Sequence, residues 1–277
     1  MAFDFRKKTE KELDAEGMFP APAESDGAFA ARLEILSGEL EALQNGSSDL
    51  LSLIGGSRPL SGEIREAAGR LTWEKYRFRA EWVPGWYSSR RTGFWSAGIL
   101  LEVDGSLPLL FLHGKFARRR RRLGYDAAET LAHELIHAVR TAFPASVYEE
   151  YFSCQIHASA FRRECGNLFR KWYLPLLLFG GAAAAPVLAA AGSAFWILPL
   201  AGPLLVIGRE FQIRRRLRKA ADALRREGAE PLPVLLRLSD REIFDAAALS
   251  PADFMKRRNC SRRWQRLLER FPLWDGA

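Results

Sequence analysis

Asp126-Ala-Ala-Glu129-Thr-Leu-Ala-His133-Glu134-Leu135-Ile136-His137-Ala-Val-Arg-Thr-Ala142 is the stretch around which the rest of the chain is arranged. Asp126 and Glu129 have the spacing of a capping box, and Pro144 stands where a helix would have to stop, so the segment predicts one helix from Asp126 to about Ala142. On that helix His133 and His137 are four residues apart. They project from one face about one turn from each other, close enough to hold a single metal ion. Glu134 falls beside them. Neutral imidazole suits Zn²⁺, and a carboxylate next to a metal-bound water can act as general base in hydrolysis, so this HExxH pattern predicts one zinc ion with His133 and His137 as ligands and Glu134 as the catalytic base.

Two histidines leave the ligand set incomplete, and the next segment offers candidates. Ser146-Val-Tyr-Glu149 again has capping-box spacing and predicts a second helix, from Ser146 to about Leu168, turning back along the first. His137 lies about six residues before that turn and Glu150 about six after it, so an antiparallel pair brings them to similar height. Glu150 is therefore the expected third ligand, with Glu149 as competitor, although capping gives Glu149 an ordinary structural task. Glu150, Cys154 and His157 would share one helix face, which makes His157 another alternative ligand and Cys154 and His157 alternative supporting groups. Tyr148, Tyr151 or His157 are the candidates for stabilising an oxyanion. His113, the fourth histidine of the chain, reads as strand-end structure.

Upstream, Phe29, Leu33, Leu36, Leu40 and Leu43 recur at helical spacing and predict an amphipathic helix from Asp26 to Leu43. A second helix is predicted from Ser61 to Lys75. The character then changes to aromatic and β-branched segments separated by turns. Tyr76–Val83, part of Gly93–Val103, and Leu107–His113 are the predicted strands, the last two joined through Asp104-Gly105, giving a small antiparallel sheet just before the metal helix. An edge of such a sheet can pair with an extended peptide. Arg118 to Arg122 follow as five consecutive cations, readable as a solvated loop or as a contact for anionic phospholipid, with nucleic acid disfavoured because no aromatic residues are interleaved.

Downstream, Tyr173 to Gly208 is a run of 36 residues without Asp, Glu, Lys, Arg or His. As one helix it would be about 54 Å long against a hydrocarbon thickness of about 30 Å, so two spans are expected, Tyr173–Ala190 and Ala194–Gly208, turning at Gly192-Ser193. Gly180, Gly181, Pro186 and Pro203 also allow a re-entrant or shallow hairpin. Arg170 and Lys171 precede the run and Arg209, Arg214, Arg215, Arg216, Arg218 and Lys219 follow it, which puts both ends on the cytoplasmic side. The remainder reads as basic helices over Arg209–Arg226 and Ser239–Leu249 and from Ser250-Pro251 to about Arg270, with Pro231 and Pro233 marking a linker.

Composition agrees with a membrane-associated globular chain. The net charge of +8 is concentrated next to the apolar run, favouring anionic lipid over nucleic acid as the partner. Cys154, Cys165 and Cys260 are too few and scattered for a disulfide framework, and the charged N-terminus lacks a signal-peptide core. The expectation is an integral membrane protein, in a bacterium of the inner membrane, with its N- and C-terminal parts in the cytoplasm.

The stretch from Asp126 to Cys154 resembles the zincin metallopeptidases, more narrowly the gluzincins, and is distantly similar to M48-type membrane metalloproteases, in which a second motif resembles Glu-Tyr-x-Ala-Asp. The corresponding residues here are Glu150-Tyr151-Phe152-Ser153-Cys154. The resemblance implies that His133, His137 and Glu150 bind zinc, that Glu134 activates water, and that the preceding sheet edge binds peptide. Cys154 stands where the family has an aspartate that orients a histidine, and the interval from His137 to Glu150 is shorter than the family's. The expected fold is thus α+β and zincin-like: a helical region over 1–75, a metallopeptidase core over 76–171, a transmembrane helical hairpin over 172–208 and a basic helical region over 209–277. The expected function is zinc-dependent peptide hydrolysis at the cytosolic membrane face, with a catalytically inactive membrane scaffold or a basic nucleic-acid-binding membrane protein as the alternatives.

Overall fold

Ser25 caps α2 (Asp26–Gln44), accepting from the Ala28 amide, and the helix buries Leu33, Leu36 and Leu40 as the spacing predicts. It follows a short α1 (Glu10–Ala15) that Thr9 and Glu12 close with a reciprocal capping box. A single turn, α3 (Leu51–Ile54), and a two-residue strand, β1 (Arg58–Pro59), lead into α4 (Gly62–Tyr76). The computed structural model describes residues 4–22, 24–94, 96–103, 107–144, 147–169, 173–250, 253, 256 and 262–273. The expected turn at Asp104-Gly105, the caps at Ser146 and Pro251, the cations Arg170 and Lys171, and Cys260 lie outside them. Two compact units make up the chain, Met1–Ile156 and His157–Ala277.

In the first unit β2 (Gly85–Tyr87), a turn of helix α5 (Ser89–Thr92), β3 (Gly98–Val103) and β4 (Leu107–Leu112) complete a four-stranded sheet of order β1-β2-β4-β3. The β3–β4 hairpin is antiparallel, Gly98 facing Leu112 and Val103 facing Leu107, as expected. The sheet as a whole is not antiparallel. β4 returns between β3 and β2 and runs parallel to β2, so the sheet is mixed. β4 is buried along its whole length, and α2 and the metal helix both contact it.

Tyr76–Val83 is not a strand. Phe78, Ala80 and Trp82 are buried and alternate with exposed Arg79 and Glu81, so the period-two pattern is real, but among the described residues no strand pairs with the segment. Its backbone is satisfied otherwise: α4 runs on through Tyr76, Arg77 ends it with φ of 59°, the Arg79 amide donates to the Ala15 carbonyl at 2.7 Å, and the Val83 amide closes a turn on Ala80. The chain packs its apolar side chains here without sheet pairing.

The arginine run is also more structured than a solvated loop. Arg121-Arg122 (β5) pairs antiparallel with Tyr125-Asp126 (β6) across Leu123-Gly124, both with positive φ as a tight two-residue turn requires. Arg122 is buried and donates to the Ser96 and Phe94 carbonyls; Arg120 pairs with Asp126 at 2.9 Å.

The second unit holds α8 (Ala160–Cys165), a 3₁₀ turn over Gly166–Phe169, and a helical stretch of 18 residues, Tyr173–Ala190, long and apolar enough to cross a membrane. The expected second span, Ala194–Gly208, is not one helix. It is turn and 3₁₀ helix through Leu200, then the opening of a 26-residue helix, Ala201–Arg226. Only Ala201–Gly208 of that helix is apolar, about 12 Å at 1.5 Å per residue, well short of a bilayer core. The two arms pack closely: a Cβ on Gly181 would collide with the Pro199 carbonyl oxygen and the Pro203 ring, so only glycine allows the approach. Leu176, Phe179, Val187, Phe195, Leu204 and Leu205 point outward and are exposed. Pro231–Leu236, expected as a linker, is a short buried helix that uses proline at its first turn. Ser239 caps Asp240–Ala248 with a capping box to Glu242, and Arg262–Arg270 is the last helix.

Candidate metal centre

The metal helix, α6 (Ala127–Val139), begins where the sequence puts it. Asp126 accepts from the Ala128 and Glu129 amides at 2.9 and 3.4 Å, and Thr130 donates its hydroxyl to the Asp126 carbonyl. Leu131, Leu135, Ile136 and Val139 bury one side of it against α4 and the sheet. The side carrying His133, Glu134 and His137 is left half-buried.

After α6 the chain turns and α7 (Glu149–Cys154) comes back across it. α7 is short. The expected helix to Leu168 breaks after Cys154, and α8 starts afresh with Ser159 at its N-cap; Arg163 donates to the carbonyls of His157 and Ala158 at 2.9 and 2.5 Å and holds the break. His157 therefore does not share a helix face with Glu150 and Cys154. It is buried in the connecting segment, at the first position of the second unit.

What α7 does bring is Glu150. Among the described residues, His133, His137 and Glu150 form the one group of three able to hold a metal ion. The His133 and His137 Nε2 atoms are 3.2 Å apart, His133 Nε2 is 3.6 Å from Glu150 Oε1, and His137 Nε2 is 3.5 Å from Glu150 Oε2. Two ligand atoms about 2.0–2.1 Å from one tetrahedral ion stand about 3.3–3.4 Å apart, so the triangle is of the size a zinc-like ion needs. Two imidazoles and one carboxylate are also a donor set that suits such an ion, with a fourth position left for water or substrate.

Glu149 is turned to the other side of the same imidazole. Its Oε1 lies 2.5 Å from His137 Nδ1, a contact that holds the ring with Nε2 toward the centre. Glu149 thus contacts a candidate ligand from outside the group of three. Cys154, where the resemblance implies an aspartate, instead donates its thiol to Glu150 Oε1 at 3.5 Å, a weak contact on the carboxylate of the candidate triad. Tyr148 is buried at the start of α7, and Tyr151 lies with its ring edge-on to Phe152 at 6.0 Å; the oxyanion role expected of them rests on their closeness in sequence.

The electrostatics match a cation. Burial disfavours charge on His137, yet its hydrogen bonds to Glu149 and Glu150 carry its pKa up to about 10. Burial pushes Glu150 upward, but the hydrogen bond from His137 and the charges of both histidines bring it down to about 2. Glu134 is raised to about 7, chiefly by burial; His137 opposes this and Glu150 adds to it. Carboxylates that hold a proton on His137 this firmly would equally favour a dication in its place.

Gly98, which the sequence reading passed over, is part of this site. A Cβ there would sit 3.0 Å from Thr130 Cγ2 and 3.1 Å from Glu134 Cγ and Oε1, so the first residue of β3 lies directly against the proposed base. Its signal in the sequence was a glycine opening a strand, which can mark close backbone approach. No family model, curated protein or solved structure matches the chain.

Proposed function

We propose that this chain is a zinc-dependent metallopeptidase of zincin type, anchored in a membrane and hydrolysing peptide bonds at its cytosolic face. The observation that carries the reading is the convergence of His133, His137 and Glu150 on one point with Glu134 alongside. Zinc, when bound, supplies a Lewis acid that polarises the scissile carbonyl and makes water a usable nucleophile at neutral pH. Every other step falls to the chain. Glu134, next to His133 on α6, takes the proton of the attacking water and returns it to the leaving amine. Glu149 holds the His137 ring with Nε2 toward the centre. β3, the outer strand of its sheet, offers main-chain donors and acceptors to an extended peptide, and the closeness of Gly98 to Glu134 supports a substrate strand laid along that edge.

The apolar hairpin supplies the anchor in this proposal. Tyr173–Ala190 enters the bilayer, the chain returns through Leu198–Gly208, and the cations from Arg209 to Lys219 stay with anionic headgroups on the side of entry. The test is peptide cleavage by the purified full chain beside Glu134→Gln. Cleavage that falls by about 10²–10⁴ while zinc content is unchanged supports the reading. Equal cleavage by both proteins removes Glu134 from the mechanism and the peptidase assignment with it.

A further inference from the structure

A concavity lies in the first unit, apart from the candidate metal centre, between the start of α4 and the arginine segment after β4. It encloses about 390 Å³, the size of a pocket for a small organic ligand. Its inner wall is apolar: Tyr87 and Phe116 are buried there, with Ile64 on one side and Ala127 and Ala128, the first turn of α6, on the other. Its rim is cationic. Arg58 reaches it from β1, and Arg118 and Arg119 reach it from the segment after β4; none of the three makes an ion pair among the described residues. Arg70 and Arg120 also line it, each already matched by a carboxylate, Glu66 and Asp126. Glu63 is the one acidic residue in the lining.

Three uncommitted guanidiniums around an apolar floor select a ligand with a compact multiple negative charge at one end and a less polar body. Guanidinium forks match phosphate oxygens in geometry as well as charge. We infer that this pocket binds a phosphate-bearing ligand, with the phosphate among Arg58, Arg118 and Arg119 and the less polar part on Tyr87 and Phe116. Two sources share that chemistry: the headgroup of an anionic phospholipid, and a soluble phosphate ester or inorganic phosphate. Because Ala127 and Ala128 belong to the helix that carries His133 and His137, an occupant would press on the first turn of that helix, about 8 Å along its axis from His133. The inference stands on the pocket's own lining and does not require the metal centre to be a peptidase.

Calorimetric titration of the full chain in an uncharged detergent tests it, with three probes: short-chain phosphatidic acid, inorganic phosphate, and short-chain phosphatidylcholine. Saturable one-to-one binding of phosphatidic acid, weakened roughly 10- to 100-fold in Arg118→Gln/Arg119→Gln, is the expected result. Phosphate binding as tight as phosphatidic acid would assign the pocket to the soluble source, and phosphatidic acid much tighter than phosphate to the lipid one. Lys11→Gln/Lys75→Gln removes the same charge from exposed positions of the first unit outside the pocket and is expected to leave the affinity unchanged. The proposal is overturned if neither anion binds, if phosphatidylcholine binds equally, if the two double variants lose affinity alike, or if a single-stranded oligonucleotide binds more tightly than either probe.

Discussion

Two adjacent glutamates divide the work at the metal centre. Glu150 faces the Nε2 atoms of both histidines, whereas Glu149 holds the opposite nitrogen of His137, so replacing one is a different experiment from replacing the other. Glu150→Ala removes the proposed third ligand and is expected to abolish stable zinc retention. Glu149→Gln keeps the shape of the side chain but replaces its charged acceptor with a neutral amide; zinc affinity should fall about 10- to 100-fold, with the fold unchanged by circular dichroism. Competition with a chromogenic chelator measures both. Equal affinity in Glu149→Gln and wild type would mean that the His137 contact does not tune the site. Spacing named Glu150 as the expected third ligand, and the structure groups it with the two histidines; the contact of Glu149 with His137 Nδ1 was not legible, and a helix predicted to Leu168 wrongly put His157 on the face of Glu150. The break at Gln155–Ser159, held by Arg163, is a tertiary feature that periodicity does not record.

At the scale of elements, α6 was legible from its ends inward: an N-cap aspartate, a helical apolar stripe and a proline beyond. Asp126→Ala should cost about 1 kcal/mol, a fall of roughly 2–4 °C in Tm by differential scanning calorimetry. No shift would mean that the Asp126 contacts with the Ala128 and Glu129 amides contribute little. The β3–β4 hairpin was legible too, because alternation and turn signals are local. The parallel pairing of β2 with β4 was not, since it depends on where the chain returns, and Tyr76–Val83 misled because burial on one side gives the same alternation whether or not a neighbouring strand exists. Gly98 is where two elements meet. Gly98→Val would drive a side chain into Thr130 and Glu134 and should depress peptide cleavage at least about tenfold, since small misplacements of catalytic groups are costly. Unaltered kcat/KM in a folded Gly98→Val protein would place the β3 edge outside the reaction.

For the whole molecule, composition distinguished an apolar run from the rest and the structure gave it form: one helix of membrane-crossing length, a tightly packed return arm too short to span, and apolar side chains turned outward. Full-length protein should stay with the membrane pellet after alkaline carbonate extraction, as hydrophobic insertion requires; release into the supernatant would reduce the association to surface charge. Whether His133, His137 and Glu150 hold a metal decides the proposed activity. Zinc per chain, measured by mass spectrometry on the purified full-length protein beside His137→Ala, is the direct test. About one ion per wild-type chain and close to none in His137→Ala is the expected result, as loss of one of three proposed protein ligands implies. Zinc absent from wild type, or held equally by both proteins, would contradict the proposal.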